Sequence, residues 1–164
     1  MKVNDKMTLK EFLKEVNCKE EDIKESKGNL ALFGIIHNSY VLSGIHEQTG
    51  EICLEAVKDC GDVLQYVKEQ TEEICLEAVK NDGSALKYVK NQTEDICLAA
   101  VKSDGLSLRY VRNQTEDICI EAVKHGKYVL PYVIKQTPRI CIEAIKQNRD
   151  MIRYVDKTIF DIDV

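Results

Sequence analysis

The sequence predicts an all-α protein, an α-solenoid of short helix–turn–helix repeats with a period of 22 residues. Three observations predict it: gapless self-similarity, helix punctuation at fixed places in each copy, and apolar residues at helical spacing. Aligned on a Gln-Thr pair, the chain reads QTGEICLEAVKDCGDVLQYVKE at 48–69, QTEEICLEAVKNDGSALKYVKN at 70–91 and QTEDICLAAVKSDGLSLRYVRN at 92–113. It continues as QTEDICIEAVKHGKYVLPYVIK at 114–135 and QTPRICIEAIKQNRDMIRYVDK at 136–157. A sequence period of roughly 20–50 residues marks stacked supersecondary units that cannot bury their apolar faces alone.

The elements follow in order. Residues 1–25 fall outside the repeat and read as an N-terminal helical cap, with Thr8 as N-cap and Leu9, Phe12, Leu13 and Val16 on one face. Residues 26–47 form a degenerate repeat, in which Leu30, Leu32, Ile35, Leu42 and Ile45 hold apolar positions. Gly34 stands there for the alanine and Gly44 for the tyrosine. The five repeats at 48–157 come next, then a closing segment at 158–164, where Ile159, Phe160 and Ile162 would seal the last core layer of a single structural domain.

Within a unit, Thr71 stands where an N-cap belongs, and Glu72 and Glu73 suit the positive end of a helix. Pro138 directly follows Thr137, at the first helical position, where a missing N–H costs nothing. The first helix is expected from about Glu72 to Lys80, stopped at Asp82-Gly83 by a left-handed glycine. Gly61 and Gly105 match Gly83; the fourth unit moves its glycine to Gly126, and the fifth has Asn148-Arg149. The second helix is expected over roughly 84–90, with Pro131 tolerated in the first turn of its fourth copy. Ile74, Cys75, Ala78 and Val79 share one face of the first helix, and Ala85, Leu86, Tyr88 and Val89 are the apolar side of the second.

Composition narrows the function. Lys and Arg number 23 against 28 Asp and Glu, a net charge of −5, which is unlike a non-specific DNA binder. No apolar run approaches the ~18–20 residues of a membrane span, and the N-terminus lacks the apolar region of a signal peptide. Cys53, Cys75, Cys97, Cys119 and Cys141 recur once per unit, without the close pairs of a zinc site. They read as small core residues in a reducing compartment, so a cytoplasmic protein is expected. Cys60 sits in a turn, and Cys18 beside the cap. His37, His46 and His125 have no spacing that pairs them with a nucleophile and a carboxylate. No enzymatic activity, metal or cofactor is expected.

The phrase EICLEAVKNDGSALKYVKN resembles an alanine–valine–lysine helical repeat, a domain of unknown function found in tandem arrays in bacterial and viral proteins. The resemblance extends over about 26–157. It implies an all-helical array and carries no catalytic residue onto this chain.

The functional expectation is a protein–protein interaction module, a small adaptor or inhibitor. On the first helix, Glu77 lies three residues before Lys80 and compensates it; Lys102 occupies the equivalent place. On the second, Lys87, Lys90, Arg109 and Arg112 form a basic stripe with no acid expected between them, continued by Lys68 and Arg153. Pro131 and Ile134 interrupt it in the fourth unit, and Tyr128 puts an aromatic ring on the variable turn. The partner expected is a protein with an acidic surface. The alternative is RNA or a single strand on the basic face, with Tyr66, Tyr88, Tyr110, Tyr132 and Tyr154 as a stacking ladder. Those tyrosines read first as core edges with the hydroxyl in water. The sequence leaves the oligomeric state open.

Overall fold

The computed structural model describes residues 38–45 and 47–160. The expected cap at 1–25, most of the degenerate repeat, Cys18, His37, His46 and Ile162 lie outside the described residues. Each unit opens with a ten-residue α-helix: α1 (Gly50–Asp59), α2 (Glu72–Asn81), α3 (Glu94–Ser103), α4 (Glu116–His125) and α5 (Pro138–Gln147). Between and around them run 3-10 helices: η1 (Ser39–Gly44), η2 (Gly61–Tyr66), η3 (Gly83–Tyr88), η4 (Gly105–Tyr110), η5 (Leu130–Tyr132), η6 (Arg149–Tyr154) and η7 (Lys157–Ile159). Among the described residues there is no strand.

Each of these five α-helices starts at the predicted threonine. Thr49, Thr71, Thr93, Thr115 and Thr137 each accept the N–H of the isoleucine three residues on, at 3.3 Å. Helices this short are marginal alone, and neighbours supply the missing stability. Each α-helix packs on the next, and η1, η2, η3 and η4 each pack on the α-helix of the unit that follows. The core runs between these two stacks. From unit two it takes Ile74, Cys75, Ala78, Val79, Ala85, Leu86 and Val89, all buried. The chain is an α-solenoid.

Two expectations need correction. The second element is a 3-10 helix, and it ends at Tyr88, so Lys90 lies beyond it. Val89 donates to Leu86 O in an i→i+3 bond, while the groups that an α-turn would use are engaged by a glutamine from the preceding turn. The glycines also serve another purpose. None of Gly61, Gly83 or Gly105 has left-handed backbone. The helix stops one residue earlier, on extended Asp82 or its equivalents. A Cβ on Gly61 or Gly83 would lie 2.5 Å from the carbonyl of Ala78 or Ala100, in the next unit. Glycine is there because the next α-helix end comes too close for any side chain.

That glutamine is the joint of the array. Gln70 Nε2 donates to Leu64 O (3.3 Å), behind it, and to Tyr88 O (3.0 Å), in its own unit's 3-10 helix. Its Oε1 accepts from Lys90 N (2.9 Å) and faces Cys75 Sγ at 3.8 Å. Gln48, Gln92 and Gln114 repeat all four contacts; Gln136 keeps those to Tyr154 O, Asp156 N and Cys141. One side chain thus bonds backbone groups of two successive 3-10 segments: it is the partner of Tyr88 O and Lys90 N, and adds a second bond to Leu64 O, which also accepts from Val67 N.

Candidate interaction surface

The clasp determines which side chains share an edge. The N–H groups donated to successive glutamines belong to Lys68, Lys90, Arg112, Ile134 and Asp156, so these five side chains form one row along the solenoid. The basic members reach back along the row. Lys90 Nζ donates to Lys68 O at 2.8 Å, and Arg112 donates to Lys90 O and Val89 O at 2.7 and 2.9 Å. Their charges complement the carbonyl ends of the preceding 3-10 segments. They hold neighbouring units together as well as facing solvent. A shallow groove between units, about 410 Å³, is lined by Lys90, Gln92, Thr93, Glu94, Cys97 and Arg112, so acid and base share it.

A second row stands on the 3-10 helices: Lys87 and Arg109, followed by Pro131 and Arg153. Arg109 lies over the Tyr110 ring at 4.8 Å and Lys87 over Tyr88 at 4.7 Å. Lys87 also meets Asp62 Oδ1 at 3.2 Å across the unit boundary. The expectation of a stripe without acid is therefore corrected at Lys87. Partial burial there works against the charge, but Asp62 and Tyr88 outweigh it and hold the ammonium above its usual range. Lys87 and Lys90 do not form one uniform patch, because the 3-10 helix ends between them. Tyr88 and Tyr110 are half-buried against the core, as core-edge residues.

Unit four changes both rows. The glycine shift puts Gly126 at the C-cap of α4, and η5 shrinks to three residues. Tyr128 is 59% exposed and Ile134 79% exposed; Pro131 and Tyr132 are exposed beside them. Ile134 N still donates to Gln114 Oε1 at 3.0 Å, so the backbone is in register and only the side chain departs. The structure therefore brings Arg109, Arg112, Pro131 and Ile134 onto adjoining units of one edge. Tyr128 comes from the turn before η5.

The opposite, α-helical face is paired. Glu55, Glu77, Glu121 and Glu143 meet Lys58, Lys80, Lys124 and Lys146 at 2.6, 4.0, 3.3 and 3.6 Å. Lys102 is the exception, because Ala99 stands where the others have glutamate; its expected compensation three residues back is absent. The cysteine ladder is buried and free. Burial pushes every ladder thiol up, Cys119 to about 11 with Glu116 adding to the effect. Such thiols stay protonated and unreactive. Sequence reasoning missed their contact with glutamine. Its signal was present: the cysteine always stands five residues after the glutamine.

No helix of the described residues is long and apolar enough to cross a membrane, and no group of His, Cys, Asp and Glu among them is placed to hold a metal ion. A search of curated proteins and of solved structures finds no match to the chain. A family model described as a domain of unknown function (DUF4116) matches twice in overlapping tandem, at residues 50–92 and 71–115. Over its first three units the chain is thus similar to a tandem repeat to which no activity is attached.

Proposed function

We propose that the protein is a non-enzymatic interaction module, an adaptor or inhibitor that docks a protein segment on the edge running from Arg109 and Arg112 to Ile134. The segment carries carboxylates beside an apolar side chain. One observation carries this reading: Ile134 is 79% exposed at the place where the three preceding units hold Lys68, Lys90 and Arg112. An exposed isoleucine contributes nothing to the core, and with Tyr128 and Pro131 it makes an apolar step beside two arginines. Interfaces favour that mixture of aromatic and aliphatic groups with arginine. RNA or a single strand would use the basic rows alone. Lys90 and Arg112 already spend donors on carbonyls, and Glu94 lies in their groove.

Arg109 is the residue to reverse, since it is exposed and, among the described residues, its guanidinium rests on the Tyr110 ring and meets no carboxylate. The chain, immobilised, is used to capture proteins from host-cell lysate, with Arg109→Glu and the control Lys58→Glu in parallel. Arg109→Glu should deplete a captured protein, through its association rate and salt dependence, while Lys58→Glu does not. Equal depletion by both, or by neither, contradicts the assignment. A labelled single-stranded RNA whose affinity falls steeply with salt and survives Ile134→Lys would move the function to nucleic acid.

A further inference from the structure

The groove beside Lys90 and Arg112 is one step of a longer furrow. Three depressions of about 280, 420 and 410 Å³ follow one another along the edge where the α-helices start. Their linings correspond residue for residue, moved on by one unit each time, with Lys68, Lys90 and Arg112 at equivalent places. The first two share Lys68, and the last two share Lys90, Asn91 and Thr93, so the furrow is continuous from unit one to the start of unit four. In the same row as its cations, the residue after Arg112 is Ile134.

The second and third steps each combine a cation with the carboxylate of Glu72 or Glu94. A phosphate chain carries one sign throughout and is opposed at every glutamate. A polypeptide can set a different side chain against each group. Lys90 and Arg112 keep N–H donors beyond those given to carbonyls. Asn91 and Asn113 are exposed, and their side-chain amides make no hydrogen bond among the described residues. An amide is both donor and acceptor, which suits the open peptide groups of an extended chain; a helix has already paired its own. The pitch agrees. Stacked helices lie ~8–10 Å apart and an extended chain rises about 3.3 Å per residue, so three residues span one unit.

We infer that the docked segment lies extended along this furrow in a three-residue register, an inference that rests on the protein-docking reading above. Carboxylates three residues apart meet Lys90 and Arg112, and an apolar side chain three residues further on meets Ile134. Hydrogen-bond donors between the carboxylates face Glu94.

Fluorescence anisotropy of labelled, capped peptides on the full chain tests this. The probe is a heptapeptide with aspartate first and fourth, leucine seventh, and serine and lysine between, made in both chain directions. One direction should bind at least about tenfold more tightly than peptides of the same composition with a two-residue spacing, and than a helical peptide with the same groups seven residues apart. Asn91→Ala combined with Asn113→Ala should weaken it by about tenfold and leave the circular dichroism spectrum unchanged, since both side chains are exposed. Equal binding at every spacing, or none, overturns the inference. Tighter binding of the helical peptide overturns it in favour of a helical partner, and indifference to the paired asparagine change removes the contact with peptide groups on which it stands. If the probes fail while Arg109→Glu still depletes the captured protein, the extended register falls and the docking edge stands.

Discussion

Units three and four are the same framework with opposite surfaces. Thr93 and Thr115 cap α3 and α4 at the same 3.3 Å. Gln92 and Gln114 make the same four contacts, and their distances to the N–H in the surface row are both 3.0 Å. Yet unit three has a six-residue η4 bearing Arg109 and Arg112, whereas unit four has a three-residue η5 bearing Pro131 and Ile134. The clasp bonds backbone, not side chains, in the second element. Register therefore survives a shifted glycine, an inserted proline and the loss of two cations. A surface that the fold does not constrain is free to be selected for contact.

The largest effect that would break this comparison is loss of a clasp. Gln92→Ala leaves Tyr110 O and Arg112 N without their partner, while Leu86 O keeps the bond from Val89 N, and should cost about 2 kcal/mol at ~1 for each group left unpaired. Gln114→Ala should cost the same, read from chemical denaturation. A large inequality would mean the two units are not held alike.

Glycine separates the units next. A Cβ at Gly105 would overlap Ala122 O and lie 2.6 Å from Gly126 N, all backbone. At Gly126 its closest neighbour is Val129 Cγ2, a single buried side chain, and the nearest backbone atom, Gly105 Cα, is farther off at 3.2 Å. Gly105→Ala should therefore cost about 2 kcal/mol and Gly126→Ala about 1, measured by the same melts.

The smallest effect lies on the paired face. Partial burial raises Glu121, but Lys124, then His125 and Lys102, more than offset it and hold the carboxyl below its usual range. A depressed folded pKa gives stability that is complete above the unfolded value, about 4.3, and disappears as pH falls through the folded one. Glu121→Gln should cost under about 1 kcal/mol at neutral pH, and the difference from wild type should shrink in acid. Ala99→Glu in unit three should gain a similar amount with the same pH dependence.

The contrast between units also shows what was legible beforehand. Helix starts were, because a threonine cap and Pro138 act within one turn. Core positions were, because a 22-residue period samples the same environment five times. The type of the second helix was not: whether Leu86 O bonds Val89 N or a later group depends on Gln70, which approaches from before α2. The glycines were misread for the same reason, since Ala100 O presses on Gly83 from the next unit. The Lys87–Asp62 pair crosses a unit boundary, where linear spacing carries no signal. Ile134 was legible as an interruption of a basic row, though its near-complete exposure with intact backbone register was not.

The separation of framework from surface is tested most directly by Ile134→Lys, which restores the row that Lys68, Lys90 and Arg112 begin. On one preparation, thermal melting and capture of the partner protein are measured side by side. The account predicts a melting temperature within about 2 °C of wild type, because exposed substitutions move stability by less than ~0.5 kcal/mol, together with loss of the captured protein. Capture that persists undiminished, or a melting temperature that falls steeply, would contradict it.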